Sequence, residues 1–503
     1  MGIPHRVGRW AVTALALGLV LAGCSGQTLI PQADGTKPVL PAEHQGSRAP
    51  QRPVALVTGG NRHSSGVIAS GGPASPYNYA PSVMATDGGY RMWWCGQLPG
   101  AARPGDQILY ATGTSLNGPF HGPNGAAADR VFSNSPNAFD GLHTCDPSVI
   151  EVAGTYYLYY TGTADPNGVN NGIGLATSKD GVHWVRANGG TPIVSSAGDR
   201  QGANAYGAGQ PSALYVDGMY YLMFTDTTGA AADANGAGQF VLRSPDPAFQ
   251  KNVQALGNDG FTAVNSATSP RTRSVSESTT SDWMWVDALN AFAIASDAPG
   301  GTSITFWDKD FTSHPYNGFT IGGAQREGPG LVRTADGHAP VSTSAPCAQV
   351  PVDVVRPTAQ GAGPTALKHF GVDIDGLSAC RGKTALTLLN GFAVPAPDRT
   401  VDIVVGDHLV EVERRSVALA LAAGMVDDPP AVVDSLPVAA HLRAGASIVT
   451  APGRPVGVRM DDGRLWVLGS ARIAQLNSSK VLTVTDAEWD SYPAGTDLST
   501  LRP

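Results

Sequence analysis

The sequence predicts a mainly β protein, a five-bladed β-propeller followed by a small α+β C-terminal domain, and three observations predict it. The first is a phrase written three times: Pro81-Ser82-Val83-Met84, Pro147-Ser148-Val149-Ile150 and Pro211-Ser212-Ala213-Leu214. Each opens a strand that leads through a Gly-containing turn into a second strand rich in aromatic residues, the signature of a β-hairpin. A tyrosine (Tyr90, Tyr156, Tyr220) stands nine residues after each proline, and the prolines lie 66 and 64 residues apart. That spacing suits a propeller blade of four strands with its loops. The second observation is composition: 62 glycines and 38 prolines with 15% charged residues fit a turn-rich β protein. The third is a change of character near Asp398, where short strands begin to alternate with alanine-rich segments.

From the N-terminus, Arg6 and Arg9 precede an apolar run at residues 10–20, too short for a confident bilayer span. Leu21-Ala22-Gly23-Cys24 resembles the lipobox of bacterial lipoproteins. Residues 1–24 are therefore expected to be a signal peptide. The resemblance implies lipidation of Cys24, with the protein held on the extracytoplasmic face of the membrane only through that lipid. Residues 25–75, rich in Gly, Ser, Pro and Gln, read as a flexible tether with short strands at 54–57 and 67–69.

The propeller is expected over residues 76–395. Third and fourth strands follow each hairpin, at 108–112 and 116–120, at 173–178 and up to Trp184, and at 240–244 and up to Phe249. Asp and Ser side chains in these turns bond nearby backbone N–H groups. Two degenerate blades follow, built on 283–286, 291–295 and 303–307, then on 330–332, 352–355 and 369–372. Over residues 396–503, segments 401–405, 409–412 and 417–425 are matched in order by 456–460, 464–468 and 473–476. These read as two copies of a hairpin-plus-helix unit.

Apart from Cys24 there are four cysteines, an even number suited to an oxidising compartment. Cys95 ends one hairpin and Cys145 opens the next, so they are expected to pair, leaving Cys347 with Cys380. The absence of a CxxC motif or a Cys/His cluster predicts no zinc site, and no metal or cofactor is expected. A net charge of −8 without a basic tract argues against a nucleic-acid partner.

In a propeller, the residue before the repeated proline starts an innermost strand, and those starts ring one mouth of the central cavity. Here they are Ala80, Asp146 and Gln210, with Asp282 opening the fourth blade and Glu327, in Glu327-Gly328-Pro329, opening the fifth. Over roughly residues 75–380 the chain resembles the five-bladed glycosidase clan, especially glycoside hydrolase family 43. Members of that family open successive blades with Asp-Pro, Asp-Pro and Glu-Gly-Pro, whose carboxylates serve as base, pKa tuner and acid. Asp146-Pro147 matches. The first position is Ala80, the third is Gln210, and the Glu-Gly-Pro comes two blades late.

The resemblance implies a surface-anchored glycoside hydrolase acting on a cell-wall or environmental polysaccharide of arabinose- or xylose-type sugars. Asp146, Glu327 and Asp282 are the catalytic candidates, with Glu277 a further option for the pair. Tyr79, His143, Tyr206 and Gln210 are the candidate sugar-binding residues. Ala80 and Gln210 motivate the alternative, a non-catalytic glycan-binding propeller lipoprotein.

Overall fold

A computed structural model of the chain describes residues 52–71, 75, 77–96, 106–197, 205–358, 366–396 and 400–501. The expected signal peptide, Cys24 and most of the expected tether lie outside the described residues.

The three Pro-Ser phrases each open a set of antiparallel strands. Strands β2 (Asn78–Thr86), β3 (Gly89–Gly96), β4 (Gln107–Gly113) and β5 (Asp129–Phe132) pair in sequence order. So do β6 (His143–Val152), β7 (Thr155–Thr163), β8 (Gly172–Ser178) and β9 (Val185–Arg186). The third set runs through β10 (Ala208–Val216), β11 (Met219–Asp226), β12 (Gln239–Ser244), β13 (Gln254–Gly257) and β14 (Gly260–Ala263). The fourth comprises β15 (Ser281–Val286), β16 (Ala291–Ala298), β17 (Gly301–Asp308) and β18 (Phe319–Gly322). In the last, β19 (Gly330–Arg333) pairs with β20 (Val350–Thr358) and β20 with β21 (Ala366–Asp375).

The outer strand of that last set comes from far upstream. Strand β1 (Val57–His63) pairs antiparallel with β21, Val57 opposite Asp375 and His63 opposite Phe370. This corrects the expectation of a tether through residue 75. The segment Gly59-Gly60-Asn61-Arg62 looks like linker because it lacks apolar alternation, yet an edge strand needs only its backbone. Arg62 anchors it, donating to Asp353 at 2.7 Å and to Asp373 at 2.8 Å. A smaller correction concerns residues 116–120. They form a turn, and the fourth strand of the first set is β5.

The arrangement is propeller-like, and serines of the repeated phrase join one set to the next. Ser82 Oγ accepts from the N–H of Val149, and Ser148 Oγ from that of Ala213. Ser212 Oγ donates to Asp282, whose other oxygen accepts from Leu331 N–H at 2.7 Å. Strand β19 then pairs in parallel with β2, Val332 opposite Val83, so the circuit returns to its start. Arg333, at the end of β19, is buried within this circuit. It donates to the carbonyls of Ala213 and Trp283 at 3.1 and 3.0 Å and to Ser212 Oγ at 3.3 Å.

Aromatic residues of the repeats fill the spaces between adjacent sets. Trp93, Tyr110, Phe132 and Tyr160 pack with Val149 and Leu158 between the first and second. Trp283, Phe292 and Phe311 pack with Tyr221 and Met223 between the third and fourth. Each such side chain contributes roughly 1.5–3 kcal/mol by leaving water. Both expected disulfides form: Cys95–Cys145 with Cα atoms 5.2 Å apart, and Cys347–Cys380 with 5.0 Å.

The remaining chain begins with helix α1 (Gly382–Leu389) and carries two sheets. One orders β22 (Ala393–Pro395), β23 (Val401–Val405), β24 (His408–Val412) and β25 (Val438–Leu442), with α2 (Arg415–Leu421) and α3 (Ala431–Asp434) between its last two strands. The other contains β26 (Ile448–Thr450), β27 (Gly457–Arg459) and β28 (Leu465–Val467), then α4 (Arg472–Leu476), β29 (Val481–Thr483), α5 (Asp486–Ser491) and β30 (Ala494–Asp497). Apolar faces of both share one core, in which Val410, Val417, Ile448 and Trp466 meet.

Candidate active site

The starts of the first three innermost strands carry a local distortion that turns a side chain into one cavity. In β2, β6 and β10 the ladder register slips just before the repeated serine of the phrase, between Tyr79 and Ser82, Cys145 and Ser148, and Gly209 and Ser212. The residue inside each slip has a left-handed backbone: Ala80 at φ 45°, Asp146 at 48°, Gln210 at 51°. Such bulges redirect a side chain out of the ordinary strand alternation, and a non-glycine residue at positive φ is uncommon. Gly328, before Pro329, shares the conformation at φ 63°, and a Cβ there would lie 2.8 Å from Ala80 Cα. The fifth member of the ring is thus Gly328 by backbone position, and Glu327 reaches the cavity from one residue earlier.

A cavity of about 30 Å³ results, lined by Tyr79, Ala80, Asp146, Gln210, Asp282 and Glu327 together with the prolines and Arg333. A neighbouring cleft of about 570 Å³ shares Gln210, Thr280 and Glu327 with it and adds Tyr206, Asp297, Gln325, Arg326 and three more threonines.

The carboxylates meet different surroundings. Asp146 is buried, and its Oδ1 has no hydrogen-bond partner among the described residues. Burial, then the charge of Glu327, pushes its carboxyl up to about 7, against the pull of a Thr161 hydrogen bond. Glu327 is half-buried and accepts a hydrogen bond from the Tyr77 hydroxyl. Burial and that carboxylate raise the Tyr77 phenol to about 12, so it remains a donor.

Asp282 lines the same cavity but is fully engaged. It accepts from Ser212 and Leu331 and lies 3.2 Å from Arg333, so its oxygens are committed to holding the circuit of strands. Tyr79 is buried and donates to Asp106 at 2.9 Å. Gln210 fixes its strand start through its backbone, donating to Thr161 Oγ1 at 2.7 Å. Tyr206 lines the adjoining cleft, and burial raises its phenol well above the usual range. His143 lines neither space. It lies 4.0 Å from Asp106, and burial lowers its imidazole. Two residues escape sequence reasoning. Asp106 sits in a loop with no repeat marker. Asp297 is the last residue but one of β16, a hairpin strand lacking the phrase.

Two groupings of possible metal ligands occur here among the described residues, Cys95–Cys145–Asp146 and Asp106–His143–Cys145. Both include a sulfur committed to the Cys95–Cys145 disulfide, which removes the thiolate that such a site would use.

No family model matches the chain. Among curated proteins it is 32% identical over 127 residues to arabinan endo-1,5-alpha-L-arabinosidase A of Aspergillus niger, a match covering 24% of this chain and 35% of that enzyme. The chain therefore spans about a third of the length of the curated relative it matches. Among solved structures it is similar to Zg3597, a family 117 glycoside hydrolase of Zobellia galactanivorans. That match has a TM-score of 0.43 and 13% identity over 64% of this chain and 92% of that one. The catalytic domain of the Coprinopsis cinerea GH62 alpha-L-arabinofuranosidase gives a TM-score of 0.39 and 13% identity, covering 64% of this chain and 98% of that one.

Proposed function

We propose that the chain is a glycoside hydrolase built on a five-bladed propeller, acting on a polysaccharide of arabinose- or xylose-type sugars and tethered outside the cytoplasmic membrane by a lipid on Cys24. The observation that carries the reading is the pairing of Asp146 and Glu327 in one cavity with unequal surroundings. A carboxyl group raised by burial, with a second carboxylate in the same cavity, supplies the acid and base that glycosidic hydrolysis needs. Asp146, desolvated and protonated near neutral pH, donates its proton to the glycosidic oxygen as the bond from that oxygen to the anomeric carbon breaks. Glu327, oriented by Tyr77, takes a proton from the water that attacks that carbon. Tyr79, Tyr206 and Gln210 form the walls against which the sugar lies. The partial match to an arabinan-degrading enzyme supports the choice of sugar, and the lipobox-like Leu21-Ala22-Gly23-Cys24 supports the anchor.

A second reading, a glycan-binding propeller without catalysis, is favoured by one observation: the strand starts at Ala80 and Gln210 carry no acid. Release of reducing sugar from linear and branched arabinans and from arabinoxylan separates the two. Hydrolysis supports the enzyme, whereas retention on the same glycans without release supports the binder.

A further inference from the structure

We infer that Asp297 is a positioning residue that clamps the segment carrying Glu327, holding it at both ends; the inference rests on the hydrolase reading. The segment Ala324–Gly328 has no regular hydrogen-bond ladder of its own, so something else must fix where Glu327 points. Asp297 supplies two holds. Its Oδ1 accepts from the side-chain amide of Gln325, two residues before Glu327. Its Oδ2 accepts from Thr280 Oγ1 at 2.9 Å, and the same hydroxyl oxygen accepts the backbone N–H of Gly328 at 3.4 Å. Arg326 and Glu327 are thus the only residues between the two held points.

The clamp has its own anchor. Gln325 turns its carbonyl oxygen to the Thr302 hydroxyl, which in turn accepts from the buried Arg356. Arg356 also donates to the carbonyl of Ala324 at 3.1 Å and to that of Gly322 at 2.9 Å. The Arg326 N–H bonds to Pro357 O at 3.0 Å. The guanidinium holds the base of the segment, and Asp297 holds its two shoulders. A second consequence is electrostatic. Burial and the nearby Glu327 charge raise the Asp297 carboxyl to about 6, opposed by the Thr280 hydrogen bond. Protonation in mildly acidic solution therefore weakens the clamp by removing its acceptor charge.

The test reads the clamp without substrate and so stands apart from the hydrolase reading. Asp297→Ala, and separately Thr280→Val, are compared with the parent protein by amide hydrogen exchange, with aspartate-labelled ¹³C carboxyl NMR in parallel. A lost clamp speeds exchange in residues 322–328 by about tenfold or more while the inner strands stay protected. It also lowers the Asp146 titration midpoint from about 7 toward the ordinary carboxylate range, because the charge of Glu327 is then no longer held beside it. Unchanged exchange over 322–328 together with an unchanged Asp146 midpoint in either folded variant overturns the inference. Thr280→Val deletes one hydroxyl and leaves both charges, so it serves if Asp297→Ala does not fold. Absence of hydrolysis by the parent protein would defeat the proposed function and leave these two readouts standing.

Discussion

The carboxylate of Asp282 and the guanidinium of Arg333 lie 3.2 Å apart, both nearly shut off from solvent, where the inner strands converge. The pair takes the place that Ser82, Ser148 and Ser212 hold in the earlier repeats, linking one sheet set to the next. Removing one partner of a buried pair leaves the other charge without compensation, at a cost of about 3–5 kcal/mol. Arg333→Met should lose that much stability in urea unfolding, and the double variant Arg333→Met/Asp282→Asn should recover part of it. A single variant as stable as the parent would show that the pair is not what joins the sheets.

The raised proton affinity of Asp146 makes a stability prediction with a definite sign. Its carboxyl titrates near 7 in the folded chain, against 3.8 for the free side chain. Between those values the folded state binds more protons than the unfolded one, so stability falls as pH rises through that window. Asp146→Asn removes the ionisation, and asparagine tolerates the left-handed backbone at this position. The variant should match the parent near pH 4 and exceed it by about 1–3 kcal/mol above pH 7. Equal urea midpoints at pH 8 would contradict the burial of a reluctant acid.

Much of this was legible in the residues, because the repeated phrase carries its own physics. Proline and serine mark the bulge and the link between sheets. The tyrosine nine residues on marks the paired strand, and that phasing also brought Cys95 beside Cys145. The fourth set lacks the phrase, so Asp297 could not be placed from it. Strand β1 was hidden because an edge strand held by backbone pairing and one arginine needs no apolar alternation. Asp282 read as a catalytic candidate because it opens a strand. Its engagement by Arg333 depends on a contact across 51 positions of sequence that no local pattern reports. His143 opens β6 just ahead of Asp146, yet it lines neither the cavity nor the cleft and lies 4.0 Å from Asp106.

Away from the cavity, His338 joins the third, fourth and fifth sets. Its Nδ1 lies 2.7 Å from Asp287 and its Nε2 2.9 Å from the Tyr215 carbonyl, with Asp336 at 3.6 Å. Burial alone would lower the imidazole. The hydrogen bond to Asp287 and the charges of Asp336 and Asp287 outweigh it and raise the group to about 9. A histidine raised in the folded state contributes stability that is fully present below about pH 6.5 and lost as pH rises through about 9. His338→Gln should be less stable than the parent by about 1–3 kcal/mol at pH 6, and the gap should close by pH 10. A gap independent of pH would mean that the imidazole acts only by packing.

The central claim is that Asp146 and Glu327 share one hydrolytic reaction, and the most direct measurement is the rate of arabinan cleavage by the parent, Asp146→Asn, Glu327→Gln and the double variant. General acid–base work by a positioned carboxyl group is worth about 10²–10⁴ in rate. Each single variant should lose that much turnover while still binding the glycan, and the double should lose little more than the worse single, because the two act as a unit. Parental rates in Asp146→Asn, or cleavage that survives both substitutions, would contradict the assignment.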